Sequence, residues 1–466
     1  MPARAMRRPV AMATRRLPVL GIRDFRLLLA DRVLAPMSYA FSLVGVSFAV
    51  LSQTHGSTAK LSYVLAAQIA PSLIFLLVGG VIADRIAPQK VIIAGNAMMA
   101  IGEGTFGVLV LTGHPPLWQM IALEGLTGTG MALFYPASQA LLPRLVPAEL
   151  LQEASALSRL AMNAAQMGGA VLAGFSIAAI GTSGPGWALA ICGTGMLGTI
   201  PLMLALRVTA HERIHQTSMV RELRDGWSEF RSHTWLWVIV AQFAVVLMAW
   251  YGSFGVLGPV VARAHLGGPA AWGTITGAES LGLIAGGLIS LRFIPRRPML
   301  FVVLIGGSIA IAPLALAMLL PLAVICTTSF LLGIALEIMM VQWTVTLARM
   351  IPPDKLARVS SYDAFGSVMA MPIGAVVAGP IAAWVGVSAT QYGAAALIAA
   401  VSLLALIPRD IRRLRAADLV GPPVVVAPAE VVVPADVVVP AEVVVPAEVI
   451  VPASVSAPSR VGAGRA

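Results

Sequence analysis

Residues 61–90 read LSYVLAAQIAPSLIFLLVGGVIADRIAPQK. The run 61–83 carries no charge and stops at Asp84, Arg85 and then Lys90. Crossing the hydrocarbon of a bilayer takes about 20 apolar residues in helix, because no backbone N–H or C=O can stay unpaired there. The stretch is therefore one crossing followed by a short basic loop. The fold depends on whether the rest of the chain repeats it.

It does. Apolar runs of similar length lie near 27–51, 61–83, 91–112, 117–141, 156–180, 187–206, 235–260, 271–291, 299–319, 321–346, 359–385 and 388–407. They predict an all-α membrane protein of twelve spans, with the lipid bilayer as its solvent. The composition agrees: 58% of the 466 residues are hydrophobic and 11% are charged, against about 25% charged in soluble domains. The net charge of +10 does not point to nucleic acid, because the basic residues cluster between apolar runs rather than along one face. Cys192 and Cys326 both fall inside apolar runs and read as packing residues. The six histidines have no ligand spacing, so neither a metal nor a cofactor is expected. The Arg-rich first 26 residues lead into an apolar run too long for a signal-peptide core, so no cleaved leader is expected.

The basic residues set the orientation. They crowd the N-terminus, the even-numbered loops (Arg85 and Lys90, Arg144 and Arg159, Arg292 to Arg297, Arg349 to Arg358) and the segment after the last run. The odd-numbered loops hold only Lys60 and Arg263. The positive-inside rule then puts both termini in the cytoplasm. The organisation predicted is a basic N-terminus (1–26), a six-helix half (27–207), a cytoplasmic linker (208–234), a second six-helix half (235–408) and a cytoplasmic tail (409–466). In the linker, Arg221 to Phe230 reads as an amphipathic surface helix with Leu223, Trp227 and Phe230 on one side. In the tail, residues 431–454 repeat Val-Val-Val-Pro-Ala-Asp/Glu with variations. Proline every six residues rules out a long helix, so an extended or disordered tail is expected.

The two halves match each other. At an offset of 205, Arg144, Pro147, Leu151 and Ser155 fall on Arg349, Pro352, Leu356 and Ser360. Gly169, Gly174 and Gly181 fall on Gly374, Gly379 and Gly386. At an offset of 207, Gly79, Gly80, Arg85 and Pro88 fall on Gly286, Gly287, Arg292 and Pro295. Two parallel halves related by an axis along the membrane normal make a transporter plan with its substrate site near the midplane.

The loop Gly80-x-x-x-Asp84-Arg85-x-x-Pro88-x-Lys90 is chemically specific. Gly80 permits a close helix crossing, and Asp84 is an acid able to face the positive end of another helix. Alone, the loop also reads as a topogenic charge cluster. With the repeat, it resembles the signature loop of the major facilitator superfamily, over about residues 20–410. The resemblance implies a cytoplasmic gate in which Asp84 caps the eleventh helix near Arg358; Leu291 stands where the second half would carry that acid. The stretches Gly79 to Arg85, Leu142 to Pro147 and Ile351 to Asp354 resemble the drug and siderophore exporter branch of that family. Two departures bear on antiport. Glu124 stands near the place of a fourth-span arginine, and Gly168-Gly169 replaces a Gly-Pro in the fifth span.

Ionisable groups in spans are costly and mark function. The candidates for proton coupling or substrate binding are Asp31, Glu103, Glu124, Glu279 and Glu337. Desolvation disfavours a charged carboxylate, so such a group can carry a proton between two sides. The alternative for each is a protonated carboxyl bridging helices. The resemblance places spans one, four, seven and ten around the cavity, which favours Asp31, Glu124 and Glu337 over Glu103. Trp250, Tyr251 and Phe254 in span seven would suit planar or cationic compounds, or form an interfacial belt. Gly252, Gly255, Gly258 and Pro259 would let that helix unwind or bend.

The expected function is proton-coupled export of a small hydrophobic or cationic compound by a monomer in the cytoplasmic membrane. Alternatives are import or facilitated diffusion of a metabolite, and a non-transporting sensor on the same fold. No Ser/His/Asp, zinc-type His-Glu or nucleotide-loop pattern points to an enzyme.

Overall fold

The structure, a computed structural model, describes residues 18–85, 87–207, 227–290, 292–293 and 295–414. The far N-terminus, most of the linker including 221–226, and the repeat tail lie outside the described residues. No strand occurs among the described residues.

Helices α1 (Arg23–Gln53), α2 (Thr58–Arg85), α3 (Pro88–Thr112), α4 (Leu117–Leu145), α5 (Leu151–Ile180) and α6 (Gly184–Leu204) form the first half. The second contains α7 (Thr234–Trp250), α8 (Leu257–Val261), α9 (Pro269–Ser290), α10 (Pro298–Ser308), α11 (Ile311–Ala317), α12 (Leu322–Met350), α13 (Pro353–Val368), α14 (Met371–Val385) and α15 (Val387–Ala405); α16 (Arg409–Arg413) follows. Proline opens α3, α10 and α13 near their first turns, where its missing N–H costs nothing. Gly181 and Gly386 end helices with positive φ of 81° and 94°, a backbone that L side chains rarely adopt.

Every apolar run predicted from the sequence lies mainly on helix. Among the described residues, eight helical segments are long and apolar enough to cross a membrane; one of them, Leu151–Leu204, contains both α5 and α6. Three runs are irregular. The run after Thr234 passes through a π-helical segment, Tyr251–Val256, into α8 and a second one, Ala262–Leu266. That helix therefore widens through an extra residue per turn, not through unwinding at its glycines. The other two breaks separate α10 from α11 and α13 from α14.

The repeat holds at the level of contacts. In the first half α1 packs on α5 and α6, α2 on α4, and α3 on α4 and α6. In the second, α7 packs on α13 and α15, α9 on α12, and α10 on α12 and α15. Gly169 abuts the Met37 carbonyl, and Gly374 abuts the Met248 carbonyl. Gly374 lies 205 positions after Gly169, and Met248 lies 211 after Met37. The same two shifts relate the packing between halves. Gly174 of α5 rests on the backbone of Pro269 and Gly273 in α9, and Gly379 of α14 rests on Thr58 and Ser62 in α2. The offset of 207 read from Gly79 and Gly80 is about one helical turn short of this 211. The side chains of 72–86 lie outside the described residues.

The apolar core is divided at one end and shared at the other. At the end bearing the termini, one cluster (Phe25, Ile92, Leu141, Met203) uses only first-half residues. A second (Leu236, Val303, Trp343, Ile411) uses only residues from Phe230 onward. Toward the opposite end two clusters span both halves: one joins Val50, Leu61 and Phe106 to Leu257, Ala375 and Ala382, and the other joins Phe41, Met99 and Ile177 to Val246, Trp272 and Ile325. Two hydrogen bonds seal that end: Thr58 Oγ1 donates to the Gly379 carbonyl at 2.9 Å, and the Gly379 N–H donates to Ser62 Oγ at 2.7 Å.

Residues 227–232 are helical; the rest of the expected surface helix lies outside the described residues. Trp227 and Phe230 stack at 5.6 Å and both lie against Tyr362 of α13. Lys355 Nζ donates to Glu229 Oε2 at 2.9 Å, fixing this end of the linker to α13.

Candidate functional site

Four first-half helices bring a polar cluster together inside an apolar interior. Glu103 projects from α3 and Glu124 from α4, and both are fully buried. Ser42 of α1 donates its hydroxyl to Glu103 Oε1 at 2.6 Å. Gln68 of α2 donates its side-chain amide to Glu124 Oε2 at 2.8 Å. Glu103 Oε2 and Glu124 Oε1 are buried without a hydrogen-bond partner among the described residues. The two carboxyls are close enough for their charges to interact. Tyr39 of α1 packs against the apolar cluster that contains Cys192 of α6.

The other half also packs on these helices. Tyr251, first residue of the π-helical segment, packs against the apolar cluster that holds Val46, Leu61 and Met120 of the first half. A buried polar atom left unpaired costs about 1–3 kcal/mol. Glu103 Oε2 and Glu124 Oε1 are two such atoms among the described residues. The close crossing that creates the site is made by Gly128 of α4, which has no room for a side chain against the Gln68 backbone.

The other predicted residues lie elsewhere. Asp31 is fully buried, and among the described residues neither of its carboxyl oxygens has a hydrogen-bond partner. Its neighbour Arg32 is turned to the Ser138 carbonyl at 2.7 Å and Met162 Sδ at 3.2 Å. Glu279 is half-buried on α9, its backbone carbonyl against Gly333. Glu337 of α12 faces Arg159 of α5 at 3.9 Å, an ion pair between the halves whose arginine side chain is 76% exposed. Glu337 also packs against Gly286. Trp250 stacks on Phe254 at 5.8 Å, and Phe254 is buried against Trp272 at 5.0 Å. Trp250 and Tyr251 are half-buried. The gate residues Gly80, Asp84 and Arg85 sit at the end of α2 with side chains outside the described residues; Lys90 is exposed and Arg358 half-buried on α13.

Sequence reasoning separated Glu103 from the cavity candidates, and the fold joins it to Glu124. It also overlooked Ser42, Gln68 and Tyr39. Gln68, the one amide in an otherwise apolar stretch of 61–83, was the available signal. Among the described residues no group of three His, Cys, Asp or Glu is arranged to hold a metal.

Comparison with known proteins bears on this arrangement. Residues 33–362 match the family described as Major Facilitator Superfamily. Macrolide efflux protein A of Streptococcus pyogenes is 22% identical over 381 residues, covering 78% of this chain and 91% of that protein. The enterobactin exporter EntS of Shigella boydii serotype 18 is 26% identical over 408 residues, covering 86% and 95%. Among solved structures, a bacterial homologue of the iron transporter ferroportin in an inward-facing state superposes with a TM-score of 0.63 at 16% identity, covering 83% of this chain and 99% of that one. A POT family transporter in complex with 5-aminolevulinic acid gives 0.66 at 10% identity, covering 83% and 96%. At those identities the structural matches concern the fold alone.

Proposed function

This chain belongs to the major facilitator superfamily of membrane transporters, and from that premise we propose that it exports a small hydrophobic or cationic compound in exchange for protons. Similarity to proteins named for macrolide efflux and enterobactin export supports the direction and the substrate class. The observation that carries the coupling is the buried Glu103–Glu124 pair, each with one unpartnered oxygen. Two buried carboxylates whose charges interact repel, and protonation of one of them relieves that repulsion. Exit of the proton to one side and entry from the other then drives transport.

The reading assigns twelve spans in two six-helix halves, with both termini in the cytoplasm of a prokaryotic inner membrane. Shared apolar packing at the far end and divided packing at the terminal end support an inward-facing state. Opening the far side requires sliding of the Gly174–Gly273 and Gly379–Ser62 contacts. Closing the near side brings the Asp84 loop toward Arg358 and tightens the exposed Arg159–Glu337 pair. Tyr251 packs the π-helical segment against the first half, so movement of that segment changes the proton's surroundings. Trp250 and Tyr251 line the substrate side of that helix, while Phe254 anchors it on Trp272.

The test is proton movement in inverted membrane vesicles, followed with a pH-quenched dye while antibiotics, dyes and siderophores are added. Compound-triggered proton release that is lost in Glu124→Gln supports the reading. Silence toward every compound, with insertion verified, contradicts proton-coupled export.

A further inference from the structure

Four arginines converge where the last long helix leaves the apolar zone. Arg297, at the start of α10, and Arg409, Arg412 and Arg413 of α16 line a pocket of about 460 Å³. Among the described residues none of them forms an ion pair with a carboxylate. Asp410 is exposed and does not line the pocket. Arg412 spends one donor on the Ile407 carbonyl at 3.2 Å, and the other guanidinium donors remain for a ligand. All four are exposed, so solvent screens their mutual repulsion in part, and an anion bound among them offsets the rest. Their planar forks suit the oxygens of a phosphate.

The setting identifies the phosphate's carrier. Leu403, Leu404 and Ile407, on the turns of chain leading to α16, are 67%, 61% and 66% exposed. They give acyl chains an apolar surface directly beside the basic pocket. A phosphate on a hydrocarbon anchor fits both parts, and a free ion fits only one. We propose that this pocket binds the headgroup of an anionic phospholipid, holding α10 and α16 together at the membrane boundary. The inference requires only that the chain spans a bilayer and is independent of what it transports.

The test uses the full-length protein, stripped of lipid in an uncharged detergent and titrated with phosphatidylglycerol. Bound lipid is counted by native mass spectrometry. Phosphatidylglycerol is expected to bind at least about tenfold more tightly than phosphatidylcholine. The preference should be lost in Arg297→Gln/Arg412→Gln and kept in Arg207→Gln, an exposed arginine at the end of α6. The double variant must elute as a monodisperse peak, and Arg412→Lys, which keeps the charge without the fork, should be intermediate. Unchanged preference in the folded double variant overturns the site. Millimolar inorganic phosphate should not displace the lipid; complete displacement would assign the pocket to a free anion and overturn the lipid claim.

Discussion

The side-chain amide of Gln68 donates a 2.8 Å hydrogen bond to Glu124 Oε2, and the pseudo-symmetric pair in the second half exchanges the acid for its partner. Glu279 lies 211 positions after Gln68, and Ser329 lies 205 after Glu124. Gly128 packs on the Gln68 backbone as Gly333 packs on that of Glu279. The two halves therefore share a helix crossing but put the carboxyl on opposite sides of it. Among the described residues, the first-half acid feels the charge of a second carboxyl, Glu103, and Glu279 has no such neighbour.

This asymmetry predicts unequal roles for the acids. Glu124→Gln should reduce compound-driven proton release to background. Glu279→Gln, without a neighbouring carboxyl in the pair, should retain most of it. Equal loss in both, measured at matched expression in vesicles, would remove the special status of the Glu103–Glu124 pair.

The contact between α5 and α9 should control access from the far end. Gly273 has no space for a side chain against Ala170 and Gly174. Gly273→Val should push the halves apart at a cost of about 1–3 kcal/mol to the closed arrangement. The readout is maleimide labelling of Ser62→Cys, in a background lacking Cys192 and Cys326, with reagent confined to the far side. Labelling should rise severalfold over the same cysteine with Gly273 intact.

At the linker, packing should outweigh charge. Phe230 is 6% exposed beneath Trp227 and Tyr362, so Phe230→Ala should cost about 3–5 kcal/mol. The Lys355–Glu229 pair is 37% and 18% exposed, and Lys355→Met should cost about 1 kcal/mol or less. Thermal unfolding in detergent checks the order of the two losses. The reverse order would mean that the ion pair, not the aromatic cluster, holds the linker end to α13.

Most of the fold was readable in the chain because lipid imposes one rule: backbone groups must pair within their own helix. That rule turns uncharged runs such as 61–83 into helices, and each predicted run lies mainly on helix among the described residues, with breaks at 309–310 and 369–370. Repeat glycines such as Gly169 and Gly374 were legible because close helix approach tolerates little else. The π-helical stretch at Tyr251 was not legible, since one extra residue in a turn leaves no mark on composition. Nor was the partnership of Glu103 with Glu124. It depends on the rotation of α3 against α4, which close contacts such as Gly102 against Thr127 set and no linear spacing reveals. Span number ranked Glu103 below Glu124, whereas the fold brings the two acids within range of each other's charge.

The central claim is that the carboxyl pair carries the coupling proton and is not needed for the substrate's passage. It is tested most directly in proteoliposomes, by comparing uphill substrate accumulation under an imposed pH gradient with substrate exchange at equal pH. The substrate is a compound identified in the vesicle assay. For Glu124→Gln the account predicts that uphill accumulation disappears while exchange continues at a rate close to that of the unaltered protein. Uphill accumulation that persists in Glu124→Gln, and in Glu103→Gln/Glu124→Gln, would contradict it.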